Sequence, residues 1–252
     1  MLPAATLAFL LVASQPVEER IRTASVGALF QGITTDRDWI DRVLGADADV
    51  AAVWSGRLDW LTIGENEFFN RSVGEVEYLH DPVPAGLRQR AVTVDRATGR
   101  VGIDAPYVLV DEAVPIVGDE VTRDETKGMR LIRVDPPARL AYTTTGLYDD
   151  GWAGDRFTYR RFDCEGGTLA ARLEQDPNLV PVPQRVTATA GSMRVATEVE
   201  FDPDDKETTL RVPLVAENGV CDVSFAVDPS GVPGKGDMRR LGVRVNGFRY
   251  SP

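Results

Sequence analysis

The sequence predicts an α+β protein: a small α/β layer followed by an antiparallel β-sandwich of jelly-roll type, preceded by the stub of a membrane helix. Three observations carry this expectation. Residues Met1 to Val17 are uncharged and largely apolar. Up to about residue 128, helical and strand-like periods alternate, the order that builds a sheet with crossover helices. From Met129 the helical period disappears and short alternating runs are broken by Gly, Pro, Asp or Asn, as in sandwiches. The divisions are therefore 1–17, 18–128 and 129–252.

The run from Leu2 to Ala13 is short for a bilayer span, which needs about 20 residues, and no Lys or Arg precedes it as in a secretory signal. It reads as the outer end of a membrane helix that begins upstream of Met1. An atypical signal or anchor and a buried core helix are the other readings. Glu18, Glu19, Arg20 and Arg22 then mark the exit into water.

From Asp36, the apolar positions Trp39, Ile40, Val43 and Leu44 share one helical face, and Gly45 ends the helix. Asp49 to Trp54 is a compact apolar run that reads as a buried strand. The stretch Leu61 to Val76 concentrates apolar anchors and polar groups: Asn66 is a candidate helix cap, Glu67 suits a first turn, and Gly74 suits a left-handed stop. Phe68, Phe69 and Val73 form its buried side. Glu67, Asn70 and Arg71 are then either a solvated capping face or, with Asn66, a ligand-facing set. Glu75 to Leu79, Arg90 to Val94 and Tyr107 to Val110 are further strands, with the Leu61 stretch as one crossover.

Nine strands are expected after Met129: Arg130 to Val134, Leu140 to Thr145, Arg156 to Phe162, Thr168 to Leu173, Arg185 to Ala188, Met193 to Phe201, Thr208 to Val212, Val220 to Val227 and Leu241 to Phe248. The cluster Asp202-Pro203-Asp204-Asp205 reads as a hairpin turn. Cys164 and Cys221 lie in this region. They form either a disulfide, which would place the chain outside the cytoplasm, or two buried thiols.

Twenty-eight Lys and Arg against 39 Asp and Glu leave a formal charge of −11, which argues against a nucleic-acid partner because phosphate contacts need a basic stripe. Asp47-Ala48-Asp49 matches a short metal-holding pattern but precedes its strand, so it reads as a turn and no metal site is expected. The sole histidine, His80, has no nucleophile elbow to serve, and neither a Walker loop nor Gly-x-Gly-x-x-Gly occurs, so no cofactor is expected.

The most ligand-like stretch is Tyr148 to Asp155. Trp152 can stack on the apolar face of a sugar while Asp149 and Asp150 accept its hydroxyl protons. The plainer reading is a Trp that staples a loop, beside solvated turn-forming Asp residues.

Asn66-Glu67-Phe68-Phe69-Asn70-Arg71-Ser72-Val73-Gly74 resembles a signature in the C-terminal soluble region of actinobacterial-type polytopic membrane glycosyltransferases, which are similar to dolichyl-phosphate-mannose mannosyltransferases. Asp149-Asp150-Gly151-Trp152 and the run Asp237 to Val245 resemble the paired marks of jelly-roll domains appended to cell-surface polysaccharide enzymes. Arg239 or Arg240 is then expected to pair with an Asp of the opening loop and tie the first strands to the last. In that family the catalytic carboxylate lies in an early extracytoplasmic loop, and no position here corresponds to it.

The resemblance thus implies a non-catalytic, extracytoplasmic portion of a membrane glycosyltransferase in cell-envelope glycan assembly. It would be held at the cell membrane by the N-terminal apolar segment and would position acceptor glycan or lipid-linked sugar through Trp152, Asp149, Asp150, Asn66, Glu67, Asn70 and Arg71. The rival readings are a structural or protein-interaction module and a free-standing secreted glycan-binding protein.

Overall fold

The computed structural model describes residues 36–55, 60–79, 90–148, 150–192, 195–201, 206–234 and 236–252. The expected membrane stub, His80 and the Asp202 turn lie outside them. Among the described residues no helix is long and apolar enough to cross a membrane.

Helix α1 (Trp39–Leu44) buries Trp39 and Ile40 and ends at Gly45, whose φ of 89° suits a residue without a side chain. Val43, expected on the buried face, is half exposed because six residues make too few turns to keep four apolar side chains under cover. Strand β1 (Val50–Trp54) is buried at all five positions. It lies between two parallel neighbours, β2 (Val73–Tyr78) and β4 (Tyr107–Asp111), which explains its unbroken apolar run.

Helix α2 (Trp60–Phe69) makes the crossover from β1 to β2. It corrects two details of the expected geometry. Asn66 sits inside this helix rather than at its start, and Gly74 lies within β2. The helix begins earlier because Trp60 to Gly64 already carries helical backbone, with Asn70 closing it instead.

Strand β3 (Arg90–Ala91) adds two parallel residues to β2. Strands β5 (Asp119–Asp124) and β6 (Met129–Arg133) form an antiparallel hairpin beside β4, giving a six-stranded sheet of order β3-β2-β1-β4-β6-β5. Strand β6 was expected in the sandwich. Its buried Met129, Leu131 and Ile132 instead complete the two faces of this first sheet. One face is packed by Trp39, Ile40, Val50, Ala52, Ile63 and Leu131, the other by Ala51, Val53, Val108, Val110, Ile132 and Leu140. The alternation along β1 sends successive residues to opposite faces.

Eight strands form the sandwich. Five of them, β7 (Tyr142–Leu147), β8 (Ala153–Arg161), β10 (Arg185–Ala190), β11 (Val195–Glu200) and β13 (Cys221–Asp228), make one sheet in the order β11-β10-β13-β8-β7. The others, β9 (Thr168–Glu174), β12 (Glu207–Pro213) and β14 (Arg244–Ser251), make the second in the order β12-β9-β14. All pairings within both sheets are antiparallel.

Burial alternates residue by residue along β13, and Phe157 stacks on Phe225 with centroids 4.3 Å apart at the centre of the core. Cys164, just past β8, is bonded to Cys221 at the start of the neighbouring β13, with Cα atoms 5.7 Å apart and both residues buried.

The two layers meet in close contact. Leu140 N–H donates to the Gly99 carbonyl (2.8 Å), and Phe162 N–H donates to that of Ala141 (3.0 Å). Gly99 holds φ at +72°, and a Cβ there would stand 2.5 Å from the Phe162 ring, so the seam closes only around a residue with no side chain.

Candidate functional site

Strand order creates the principal cleft. The chain leaves β1 toward β2 and β3, then returns to place β4 on the other side of β1, so the crevice beyond the carboxyl ends of β1 and β4 is a topological switch point, where open α/β sheets place ligands. Ser55 follows β1, Leu79 follows β2 and Glu112 follows β4, and all three line a cavity of about 510 Å³. That volume is within the range of small-molecule sites. The sandwich supplies the facing wall through Tyr142 and Thr143 to Thr145 of β7 with Phe248 of β14.

Two buried groups fix the floor. The Ser55 hydroxyl donates to the Asp111 carboxylate, whose other oxygen accepts from the Ala113 N–H (2.8 Å), which sets the loop carrying Glu112. Thr145 and Thr158 hydroxyls share a hydrogen bond of 2.6 Å across β7 and β8, ordering the far rim. The lining combines hydroxyls, one carboxylate, the Arg96 guanidinium, the Asn246 amide and two aromatic rings, a set suited to a polyhydroxylated ligand. Among the described residues no group of three or more His, Cys, Asp or Glu converges to hold a metal, and Asp47 and Asp49 stand in the turn before β1.

The residues singled out from sequence fall into two places, neither of them this cleft. Asn66 and Asn70 are 1% and 0% exposed. The Asn66 amide oxygen accepts from the Trp39 indole (2.8 Å) and its nitrogen donates to the Thr62 carbonyl (2.8 Å). The Asn70 oxygen accepts from Ile40 and Asp41 N–H (3.0 and 3.2 Å), the orphan donors at the start of α1, and its nitrogen donates to the carbonyls of Arg37 and Asn66. Both amides are internal caps, and their burial keeps them from any solute.

Asp41 completes this joint by accepting from the N–H groups of Arg71 (2.8 Å) and Ser72 (3.0 Å). The side chains of Glu67 and Arg71 stand outward. Desolvation by surrounding protein raises the Glu67 carboxyl above the usual carboxylate range.

Asp149 lies outside the described residues. Asp150 accepts from Arg239 Nη1 at 2.9 Å, the expected Arg–Asp pair, which ties the opening loop to the segment leading into β14. Arg239 also forms a fork on Asp237 and lies 4.8 Å above the centroid of Tyr148. Its hydrogen bonds to Asp237 and then Asp150 raise the guanidinium pKa further, and the same guanidinium holds the Asp237 carboxyl below its ordinary value. Trp152 is half-buried, pairs through its backbone with Arg244, and lines none of the cavities described here.

The sequence assigns Ser55 and Glu112 to no site, and Thr143 to Thr145 only to the expected strand Leu140 to Thr145. Their only local signals were a serine closing an apolar run and three consecutive threonines.

No family model and no curated protein matches the chain. Among solved structures, a family GH115 4-O-methyl-α-glucuronidase with specificity for decorated arabinogalactans aligns over 75% of this chain and 22% of that one, at 10% identity and a TM-score of 0.26. The chain thus spans about a fifth of that protein's length, and a likeness this slight carries no argument about fold or function.

Proposed function

We propose that the chain is a non-catalytic glycan-holding protein that works outside the cytoplasm, with the cleft between sheet and sandwich as its seat. The observation that carries this reading is the facing of Ser55 and Glu112, at the switch point, by the threonine wall of β7. Binding of a sugar there would use hydroxyl and carboxylate partners with an aromatic floor. The Cys164–Cys221 bridge supports an oxidising compartment.

The sandwich is read as a jelly roll whose first strand, β7, has moved from beside β14 to pair with β8. Service to a membrane glycosyltransferase in cell-envelope assembly, with attachment through the N-terminal apolar segment, belongs to the same proposal and rests on the resemblance of the Asn66 and Asp149 segments.

The test is titration of the full chain with neutral manno-oligosaccharides, followed by amide chemical shifts. Thr144→Val keeps the side chain's shape and removes one hydroxyl, so it should weaken binding about two- to tenfold. Trp152→Ala should leave binding unchanged. The reverse pattern would move the seat to the Trp152 loop, and absence of any sugar-induced shift would leave an interaction module.

A further inference from the structure

The outer face of the three-stranded sheet carries an arrangement that the cleft does not use. Leu169, Ala171 and Leu173 of β9 point into the core, so Thr168, Ala170 and Arg172 point out. In register with Ala170 lie Arg211 of β12 on one side and Arg249 of β14 on the other. Two strand spacings separate them, about 10 Å. The next row is Thr209, Arg172 and Gly247. Gly247 sits at a bulge with φ of 150° and has open space where a side chain would be. Ala170 and Gly247 therefore leave a trough, framed by arginines, of about 790 Å³.

Among the described residues, two guanidiniums on this face stand without a carboxylate partner, unlike several others of the chain. Across the chain, Arg123, Arg133, Arg139, Arg160 and Arg185 each hold a carboxylate within 3 Å. Arg172 is paired with Glu207 at 3.1 Å, and Glu174 and Glu207 share Asn246 at the end of the trough. Arg211 and Arg249 are exposed, and among the described residues neither has an ion-pair or hydrogen-bond partner. Two free guanidinium forks on one rigid sheet face, in a chain of net charge −11, make a local anion site with bidentate geometry.

We propose that this trough binds an anionic polysaccharide of the polyuronate class, each of two carboxylates taking one fork. The spacing selects the polymer. In a twofold sugar ribbon, acid groups on one side recur every second sugar, and the roughly 10 Å that separates Arg211 from Arg249 across β9 is comparable to one disaccharide. Ala170 lies between the two charges, and Thr168 and Ser251 on one side and Thr209 on the other supply hydroxyls along the edges of the ribbon. This rests on the glycan-holding reading for its ligand class, yet its arginines lie outside the cleft, with which the trough shares only Asn246, Gly247 and Phe248 at one edge.

The experiment measures retention of the full chain on polygalacturonate at low salt, on the same polymer with its carboxyls reduced, and on polyphosphate. The wild type should bind polygalacturonate, lose that binding as salt rises, and ignore the reduced polymer. R211Q and R249Q should each weaken retention about tenfold or more, with unchanged thermal unfolding as the check on folding. R211K/R249K keeps the charge and loses the fork, so it should recover only part.

Equal retention on polyphosphate would overturn the polyuronate assignment, as would binding that survives R211Q/R249Q. A concentration-dependent dimer abolished by R211Q/R249Q would instead make the face an interface between copies. Retained manno-oligosaccharide shifts with no polygalacturonate binding would sink this proposal alone. Loss of both would sink the glycan reading with it.

Discussion

Replacing both bridged cysteines should destabilise the sandwich by an amount set by the loop they close. Cys164 and Cys221 are 57 residues apart, and the loop contains β9 to β12 entire. Chain entropy for a closed loop of that length is about 14 cal/mol/K, or about 4 kcal/mol at 25 °C. For a chain of this size that corresponds to roughly 8–16 °C in melting temperature. The assay is urea unfolding of C164A/C221A against wild type, followed by near-UV circular dichroism. Reduced wild type separates the lost link from the loss of two buried sulfur atoms. A difference below about 1 kcal/mol for both would refute the reasoning, because the denatured chain would already be as confined without the bridge as with it.

Two further outcomes follow from buried polar groups. Asn70→Ala removes the acceptor for two N–H groups of α1 and both amide donors, so it should cost about 2–4 kcal/mol in denaturant unfolding while leaving the Thr144 wall intact. A cost under about 1 kcal/mol would mean water replaces the amide. Burial pushes the Tyr159 phenol up to about 12 from an ordinary value near 10. Since the folded value is the raised one, its contribution to stability is complete below pH 10 and fades as pH rises through about 12. Alkaline titration followed by phenolate absorbance should show a step near pH 12 that Tyr159→Phe removes.

The legible parts of the sequence were those whose cause is local. The apolar run at β1 announced a strand covered on both sides, and the alternation along β13 announced a sandwich strand. The edge strand β5, Asp-Glu-Val-Thr-Arg-Asp, has no apolar half and was missed, since its pairing comes from β6 and not from its own pattern. Strand β6 was seen but assigned to the wrong sheet, because alternation does not say which neighbour a strand will take.

The same limit applies to the sites. Asn66 and Asn70 looked like ligand groups because nothing within a few residues of them reveals Trp39 and the start of α1 as their partners. The Arg239–Asp150 tie was legible only as a resemblance between segments 89 residues apart. Ser55 and Thr144 became neighbours of one cleft through the order of strands, which periodicity does not encode.

The seam at Gly99 and Phe162 bears on how this protein could be taken apart or borrowed from. Cutting the chain near Ala141 would appear to release a portable eight-stranded unit. It would also strip Phe162 of the backbone it lies against, expose Leu140 on the other fragment, and divide the threonine wall from Ser55 and Glu112. A graft of the sandwich onto another scaffold would take the arginine trough with it whole, whereas the cleft would survive in neither piece.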